Sequence, residues 1–411
     1  MKRIKLATVF SGIGAIEHSL DRLNIPYDLV FASDNGEIEL NETEAEIKSK
    51  IAGMDNKHAK EVVDQLYLQN GKTNFVQKSY FANYDIDESR FYQDVRFIDG
   101  KEYYNKVDLF VGGSPCQSFS MVGKRGGFND TRGTLFYDFA RLVKEIKPKV
   151  FIYENVKGVL NHDNGNTWQI MKNVFNDLNY DWNYKVLNAK DYGVPQNRER
   201  IFVVGIRNDL IHNKFIFPKP VTLNTKMQDY LESKVSEKYY LGEKGINFVI
   251  DEKNLKKKYT QISGDIALCE TKNQQFNWHG DFWFEPLETQ HGKMIPEKYY
   301  LSDKLVKYVM STGTKGFYSN PKIDLDIARP LLSTMAKMHR AGVDNYVTTY
   351  GRIRKLTPRE CLRLMGFSDT FKIVVSDTQM YKQAGNSIVV DVLMRLVLSI
   401  IETKVFKDSL L

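Results

Sequence analysis

Two features of the sequence predict an α/β fold built on a doubly wound sheet, with a smaller and irregular second domain. Short apolar runs alternate with helix-period segments in the first half of the chain, which is the order of strand, crossover helix and strand. From about residue 208 this alternation fades, and polar, aromatic and glycine residues interleave until regular helix signals return after residue 350. We therefore expect domain segments at 1–209, 210–350 and 351–411, the last returning to the first domain.

Each predicted strand is short, rich in Val, Ile, Leu or Phe, and followed by a polar or glycine-rich turn. The predicted strands cover residues 4–10, 29–32, 107–112, 150–153, 184–187 and 201–206. Apolar residues at helical spacing predict a helix over 135–146, which Pro148 closes. Near the other end of the chain, Thr357 and Glu360 form a capping box, and an apolar helix is expected over 389–401.

The 36–93 segment is long for a connection between two strands. Its charged part, residues 41–60, predicts one or two solvated helices. The sequence indicates no role for this segment.

The composition is that of a globular protein with a mild basic excess. The 411 residues are 42% hydrophobic and 27% charged, which excludes a disordered, collagen-like or coiled-coil chain. The net charge of +7 suits an anionic partner such as nucleic acid but does not establish one.

The three cysteines, Cys116, Cys269 and Cys361, are far apart and form no CxxC pair, so we expect no disulfide framework, no metal site and a reducing cytosolic compartment. No apolar run has the length of a signal peptide or a membrane span, so neither is expected.

The first strand runs into a glycine-containing turn at residues 10–15. Gly12 and Gly14 let the backbone approach a ligand closely, and the helix that follows offers free N–H groups, so a nucleotide-like ligand is the natural hypothesis. The motif is weak alone, because Ala15 replaces the third glycine of the dinucleotide fingerprint. After the second strand, Asp34 either binds ribose hydroxyls or caps a helix.

Two chemically active side chains follow strands that we expect to be neighbours. Cys116 stands on a turn stiffened by Pro115; a free cysteine is usually a small buried hydrophobe, but a strand-end turn places the thiol in the ligand crevice. Glu154 follows the strand at 150–153, where the alternative is a helix cap. The glycine-rich stretch 122–130 predicts a mobile, basic flap.

Two arginines, Arg198 and Arg200, stand at alternate positions of an extended segment, so they share one face. Such arginines usually lie on a solvated face, but they can also hold a carboxylate through paired hydrogen bonds. The turn at 384–389 leads into the last helix and is uninformative alone.

In this order and spacing, the motifs resemble those of the cytosine-5 DNA methyltransferases of bacterial restriction-modification systems. The resemblance extends to residues 132–136, 196–200, 357–361, 365–367 and 385–387. It covers 4–207 and 351–400 and leaves the middle lobe, about residues 210–350, as the variable part. Residues 162–167 are similar to the corresponding part of the small members with a GCGC-type target. Three positions depart from the family pattern: Ala15, Asn35, where many relatives carry an aromatic that packs on the cofactor adenine, and Ile388.

The resemblance implies an S-adenosylmethionine-dependent, Rossmann-like methyltransferase with a mixed sheet, and a target-recognition domain at 210–350. It implies that Cys116 adds to carbon 6 of a flipped-out cytosine and so activates carbon 5, a poor nucleophile. Glu154 would protonate ring nitrogen 3. Arg200 would anchor the cytosine carbonyl oxygen and Arg198 would orient the acid or the thiolate loop, although the resemblance does not apportion these tasks.

The resemblance also implies contacts with cofactor and DNA. The cofactor positions correspond to Phe10, Gly12, Gly14, Asp34, Asp94, Val95, Leu135, Asn386 and Ser387. Asp94 would hold the adenine amino group. For Leu135 and Ser387, ordinary packing in the protein core is the alternative to a cofactor contact. The expected DNA contacts are Gln117, Ser120, Val122, Lys124, Arg125 and Lys337. Lys124 and Arg125 would meet phosphates, and residues 328–337 either read bases or belong to the core of their own lobe.

The expected partner is double-stranded DNA, bound by a cytoplasmic monomer, with a cognate restriction endonuclease as a candidate second partner. The nearest alternative is the tRNA-methylating branch of the same family, which normally has a shorter middle lobe. A catalytically silent DNA-binding regulator is disfavoured by the intact Cys116 and Glu154. A nicotinamide oxidoreductase is disfavoured by the missing third glycine and leaves the Pro-Cys-Gln sequence without a role.

Overall fold

The computed structural model describes the larger part of the chain. The described residues are 3–115, 135–210, 212–232, 321–332, 342–349 and 352–407, with shorter stretches between 248 and 301. The chain divides into two compact units. The first comprises 1–187, 199–218 and 393–411, and the second comprises 188–198 and 219–392. The assignment of a catalytic and a target-recognition domain to sequence segments stays a prediction.

The first unit contains a seven-stranded mixed sheet. Its strands are β1 (Ile4–Val9), β2 (Tyr27–Ser33), β3 (Phe91–Tyr92), β4 (Leu109–Gly112), β5 (Val150–Val156), β6 (Tyr180–Asn188) and β7 (Glu199–Arg207). The spatial order is β3-β2-β1-β4-β5-β7-β6; β1 to β5 are parallel to one another, and β7 is antiparallel to β5. All six predicted strands are confirmed. The order reverses between β1 and β4, and ligands of doubly wound sheets bind at such a switch point, beyond the carboxyl ends of the strands.

Some of the described helices belong to the first unit and others to the second. They are α1 (Ala15–Arg22), α2 (Glu44–Lys50), α3 (Asn56–Gln69), α4 (Phe75–Asn83), α5 (Leu135–Ile146), α6 (Asn166–Asn176), α7 (Pro358–Leu364), α8 (Asp377–Asn386) and α9 (Val390–Glu402). The predicted helix over 135–146 is confirmed as α5, and the capping box of Thr357 and Glu360 opens α7 as predicted. The charged stretch 41–60 forms α2 and the start of α3, but α3 is not simply solvated, because it buries Val63 and Tyr67.

An aromatic core lies between α5 and the sheet. Phe139 of α5 stacks on Phe110 with ring centroids 5.1 Å apart, and Phe136 meets Tyr153 edge-on at 5.5 Å. Such offset and edge-to-face contacts are the favoured aromatic geometries. The helix ends at Ile146 because the next residue precedes Pro148, a position that disfavours the helical region. This packing fixes the strands whose ends carry the candidate site.

The second unit contains a four-stranded sheet. Its strands are β8 (Gln261–Ile262), β9 (His279–Phe282), β10 (Gly342–Thr349) and β11 (Arg352–Lys355), in the order β11-β10-β9-β8. β10 pairs with β11 antiparallel and with β9 parallel.

Within the described residues, one helical segment, Asp377–Glu402, is long and apolar enough to cross a membrane. Its most apolar stretch is 61% buried inside the protein, as the core helices of water-soluble proteins also are. The segment is also interrupted, because α8 ends at Asn386 and α9 begins at Val390. It is therefore weak evidence for a membrane span.

Candidate active site

The turn between β1 and α1 has an unusual backbone. Phe10, Gly12 and Gly14 adopt φ angles of 53°, 54° and 76°, in the left-handed region. Glycine enters this region freely, whereas a phenylalanine there is strained, and such strain clusters at functional sites. A Cβ atom on Gly12 would meet no atom of the described residues within 4 Å, so this part of the structure leaves open space in front of the turn. This cradle of backbone beside a helix amino terminus fits a nucleotide-like cofactor.

Asp34, at the end of β2, is joined to this turn. Its Oδ2 accepts a hydrogen bond from the Gly12 N–H at 2.9 Å, and its Oδ1 accepts one from the Gly36 N–H at 2.9 Å. The residue therefore connects the ends of β1 and β2, and these two bonds are loop contacts rather than a helix cap. Asp34 is partly exposed, and its contact with a ribose stays a prediction.

Asp94 follows β3 and is buried, with 4% of its surface exposed. Arg96 donates to both of its carboxylate oxygens, from Nε at 2.9 Å to Oδ1 and from Nη2 at 2.6 Å to Oδ2, and the Tyr67 hydroxyl donates to Oδ2 at 3.0 Å. Val95 is buried beside it in a short 3₁₀ helix. Leu135, at the start of α5, is half-buried and packs against the aromatic core. This is the ordinary packing role that we gave as the alternative to cofactor binding. Cofactor contacts by these residues stay predictions.

Glu154 lies on β5 beside Arg200 of β7. Their Oε1 and Nε atoms are 3.2 Å apart, and the two side chains are only 12% and 16% exposed. Glu154 is a strand residue paired with Phe202, which excludes the helix-cap alternative. A Cβ atom on Gly113 would come within 2.7 Å of Glu154 Oε2 and 3.1 Å of the Glu154 carbonyl oxygen, so a larger residue at position 113 would displace the carboxyl group from its observed position.

A buried hydrogen-bond network anchors the chain just before Cys116. The Asn155 amide donates to the Tyr153 hydroxyl at 2.8 Å and to the Ser114 carbonyl at 3.2 Å, and the Ser114 and Tyr153 hydroxyls are 2.7 Å apart. Sequence reasoning missed this network, although the asparagine directly after Glu154 was a visible signal. Cys116 itself lies outside the described residues.

Arg198 occupies a different position from Arg200. It is buried in the second unit, where its guanidinium donates to the carbonyls of Leu331 at 3.2 Å, Gly385 at 2.9 Å and Ser387 at 2.9 Å. In the described residues, Glu154 therefore pairs with Arg200, whereas Arg198 donates hydrogen bonds to backbone carbonyls. Any role of Arg198 toward the acid or the thiolate stays a prediction.

The remaining predicted residues divide between the second unit and the undescribed stretches. Asn386 is exposed at the last residue of α8, and Ser387 is buried directly after it. The predicted DNA contacts Gln117, Ser120, Val122, Lys124, Arg125 and Lys337 all lie outside the described residues. Residues 328–332 are buried in the second unit, which favours the core alternative for that part of 328–337.

A buried acid behind the turn was missed by sequence reasoning. Glu17 of α1 is fully buried, and its Oε1 accepts hydrogen bonds from the Tyr80 hydroxyl at 2.6 Å and the Thr8 hydroxyl at 3.1 Å. Among the described residues its other carboxylate oxygen has no hydrogen-bond partner. Burial raises the pKa of Glu17 to about 7. Its spacing of three residues from the buried Leu20, which puts both on one face of α1, was a detectable signal.

Replacement of Glu17 by glutamine is expected to remove a pH dependence of stability. The pKa raised by burial means that the folded state holds the proton more tightly, so this stabilisation is complete below about pH 4.5 and is lost as the pH rises through about 7. The side chains facing the group, Tyr80, Tyr84, Tyr27 and Asp21, are present in both proteins, so their titration largely cancels in the difference. From pH 4.5 to 8, the wild type should lose up to about 3 kcal/mol of unfolding free energy relative to the variant.

Urea unfolding of both proteins across this pH range measures the difference. Glu61→Gln, at an exposed position of α3, is the control and should show no comparable trend. A constant difference between the wild type and Glu17→Gln would contradict the assignment.

The mixed, doubly wound sheet with a glycine turn at its switch point defines a Rossmann-like protein that binds a nucleotide-like ligand at the carboxyl ends of its strands. Over residues 4–402 the chain matches the family model described as C-5 cytosine-specific DNA methylase. The chain therefore belongs to the C-5 cytosine-specific DNA methylase family, and it is a DNA (cytosine-5-)-methyltransferase.

Individual relatives agree with this placement. The chain is 31% identical to the orphan methyltransferase M.SPRI of Bacillus phage SPR, over 100% of both chains. It is 38% identical to the type II methyltransferase M.HhaI of Haemophilus parahaemolyticus, over 70% of this chain and 73% of that one. The crystal structure of a Spodoptera frugiperda DNMT2 mutant has a TM-score of 0.58 at 17% identity, covering 97% of this chain and 100% of that one, and so supports the fold. The family and the fold imply use of S-adenosylmethionine.

Proposed function

We propose that the protein methylates carbon 5 of a flipped-out cytosine within a specific short duplex sequence, through a covalent bond between Cys116 and carbon 6. One observation carries this proposal: the largely buried Glu154 carboxyl group, paired with Arg200 at 3.2 Å, lies against Gly113. Gly113 stands three residues before Cys116. An acid fixed beside the start of the cysteine turn is what nucleophilic addition to a pyrimidine requires.

The chemistry assigns one task to each side chain. The Cys116 thiolate forms the bond to carbon 6, and the electron pair of the C5–C6 double bond moves to carbon 5 as Glu154 gives its proton to ring nitrogen 3. When bound, S-adenosylmethionine would supply an electrophilic methyl group to carbon 5, with S-adenosylhomocysteine as the leaving group. Carbon 5 then loses its proton to a base that no residue of the sequence identifies, with water as one candidate. The C6–S bond breaks to restore the thiolate, and the proton on ring nitrogen 3 returns to Glu154.

Arg200 is proposed to anchor the carbonyl oxygen of the cytosine. Its Nε faces Glu154, and its Nη1 is held by the carbonyl of Glu199 at 2.8 Å. A guanidinium fixed in this way keeps further N–H groups for an acceptor on the base. Arg198 is proposed to support the site indirectly, through the carbonyls that it binds.

The residues proposed to hold S-adenosylmethionine share the carboxyl edge of β1, β2 and β3, with further members elsewhere in the chain. They are Phe10, Gly12, Gly14, Asp34, Asp94, Val95, Leu135, Asn386 and Ser387. The open space at Gly12 and the carboxylate of Asp34 beside it support this assignment. No metal is proposed; within the described ranges no three His, Cys, Asp or Glu side chains cluster in a way that suits one.

The target carbon lies inside the base stack, so the cytosine must be extruded, at a cost of about a few kcal/mol. We propose that the segment 118–131, which contains the glycine-rich stretch 122–130, closes over the site and fills the vacated space, as the family resemblance implies. Lys124 and Arg125 would contact phosphates, with Gln117, Ser120, Val122 and Lys337 as further DNA contacts.

The proposed partner is double-stranded DNA, bound by a cytoplasmic monomer that protects host DNA, and a restriction endonuclease of the same specificity is the proposed second partner.

Methyl incorporation tests this function. Purified protein with radiolabelled S-adenosylmethionine is expected to label duplex DNA and not tRNA, and bisulfite sequencing of plasmid from expressing cells should show one recurrent modified sequence. Labelling of tRNA alone would establish the tRNA-methylating alternative instead. Binding of S-adenosylhomocysteine to a protein that labels neither substrate would indicate the silent regulator.

A further inference from the structure

The 36–93 segment packs against the strand ends that carry the proposed cofactor loops. Three of its side chains, Tyr67 of α3, Asn74 before α4 and Tyr84 after α4, each donate a hydrogen bond to a different loop of the first unit. The loops are those that follow β3, β2 and β1, respectively. A segment with only a solvent-exposed role would not need to reach all three.

Tyr84 holds the turn between β1 and α1. Its hydroxyl lies 2.7 Å from the carbonyl oxygen of Gly14 and 3.0 Å from that of Ile13, and its side chain is buried. A Cβ atom on Gly14 would come within 2.1 Å of the Tyr84 ring. The ring and the hydroxyl therefore fix both the position and the orientation of the peptides that open α1.

Asn74 joins α4 to the end of β2. Its Oδ1 accepts from the Gln77 N–H at 3.0 Å and so caps α4, while its Nδ2 donates at 2.8 Å to the Asp34 carbonyl and at 2.8 Å to Gln93 Oε1. Any side chain on Gly36 would collide with this amide, since a Cβ atom there would lie 2.4 Å from Asn74 Oδ1. One side chain thus links the helix start, the Asp34 loop and the residue before Asp94.

Tyr67 completes the set from α3. It is buried, with 4% of its surface exposed, and its hydroxyl donates to Asp94 Oδ2 at 3.0 Å. Together with Arg96, it fixes the plane of the Asp94 carboxylate.

We propose that the 36–93 segment is a brace for the cofactor site, and that Tyr67, Asn74 and Tyr84 are positioning residues that set the affinity for S-adenosylmethionine without contacting it. Loops held in their binding geometry before the ligand arrives lose less conformational entropy on binding, so affinity rises. The inference rests on the proposed function, because it takes these loops as the cofactor site.

Two variants remove a brace contact without adding volume. Tyr84→Phe loses only the hydroxyl that binds Ile13 and Gly14. Asn74→Asp keeps an oxygen for the α4 cap but loses the donor to the Asp34 carbonyl and to Gln93 Oε1, of which only the first bond holds the Asp34 loop. Tyr80→Phe is the matched control: it also removes a buried hydroxyl from the α4 region, but that hydroxyl binds Glu17 and not a proposed cofactor loop.

Calorimetric binding of S-adenosylhomocysteine and steady-state kinetics measure the outcome, at temperatures well below each variant's Tm. Tyr84→Phe and Asn74→Asp should each raise the Kd for S-adenosylhomocysteine and the KM for S-adenosylmethionine by about fivefold, the factor expected for one net hydrogen bond. Their kcat at saturating cofactor should stay near the wild-type value. Tyr80→Phe should lower Tm while leaving the Kd within about twofold, well inside the factor that one net hydrogen bond carries.

An unchanged Kd in Tyr84→Phe and Asn74→Asp, or an equal rise in Tyr80→Phe, would overturn the brace, because the segment would then serve stability alone. These results leave the proposed function intact as long as the wild type binds S-adenosylhomocysteine and methylates DNA. A wild type that binds no S-adenosylhomocysteine would instead overturn the proposed function.

Discussion

Cys116→Ser is expected to lose methyl transfer almost completely, by at least about 10⁴-fold, because a serine hydroxyl is scarcely ionised at neutral pH and cannot replace the thiolate as nucleophile. DNA binding should survive, since the phosphate contacts and the base-reading contacts come from other residues. Radiolabel incorporation measures the first effect, and a gel-shift titration with a duplex containing the target sequence measures the second.

Cys361→Ala is the control for general effects of removing a thiol. Cys361 is buried in α7 and is not part of the proposed site, so this variant should methylate DNA at close to the wild-type rate when assayed well below its Tm. Normal turnover by Cys116→Ser, or equal loss in the two variants, would contradict the role of Cys116.

Glu154→Gln is expected to lower kcat by at least about 100-fold, the usual contribution of a general acid. Glutamine keeps the size of the side chain beside Gly113 but has no carboxylic proton to give, and it leaves Arg200 without its ion-pair partner at 3.2 Å. The affinity for S-adenosylhomocysteine should not change, because the carboxyl group lies on β5 and not on the strands that carry the cofactor loops. Single-turnover methylation and calorimetry separate the two effects.

Glu199→Gln provides the matched control on the adjacent strand. Glu199 pairs with Lys157 at 2.9 Å, but both side chains are about half-exposed, and such surface pairs contribute little. Its kinetics should stay close to wild type. Equal rates for Glu154→Gln and the wild type would remove Glu154 as the acid.

Much of the sheet was predictable because its signals are local. Each strand is a short apolar run that ends at a turn, and α5 presents apolar residues at helical spacing until Pro148. The placement of Gly12 and Asp34 at one edge follows from parallel strands, whose carboxyl ends meet there. The site residues that lie directly at strand ends were therefore accessible to sequence reasoning.

The contacts that hold those residues were not predictable, because they join parts of the chain that are far apart in sequence. Tyr84 lies 70 residues from Gly14, and Arg198 lies 187 residues from Gly385. Nothing in the local pattern separates a tyrosine that braces a loop from one that fills a core. The same limit explains why alternate arginines, expected on one face, bind different partners: β7 begins at Glu199, after Arg198.

The bond from sulfur to carbon 6 is tested most directly with a duplex that carries 5-fluorocytosine at the modified position. Fluorine at carbon 5 cannot leave as a proton does, so after methyl transfer the C6–S bond cannot break. Incubation with S-adenosylmethionine should yield a denaturation-resistant protein–DNA adduct, and mass spectrometry of its peptides should locate the linkage at Cys116. Methylation of the matching unmodified duplex, with no adduct at Cys116 on the fluorinated one, would contradict covalent catalysis by this residue.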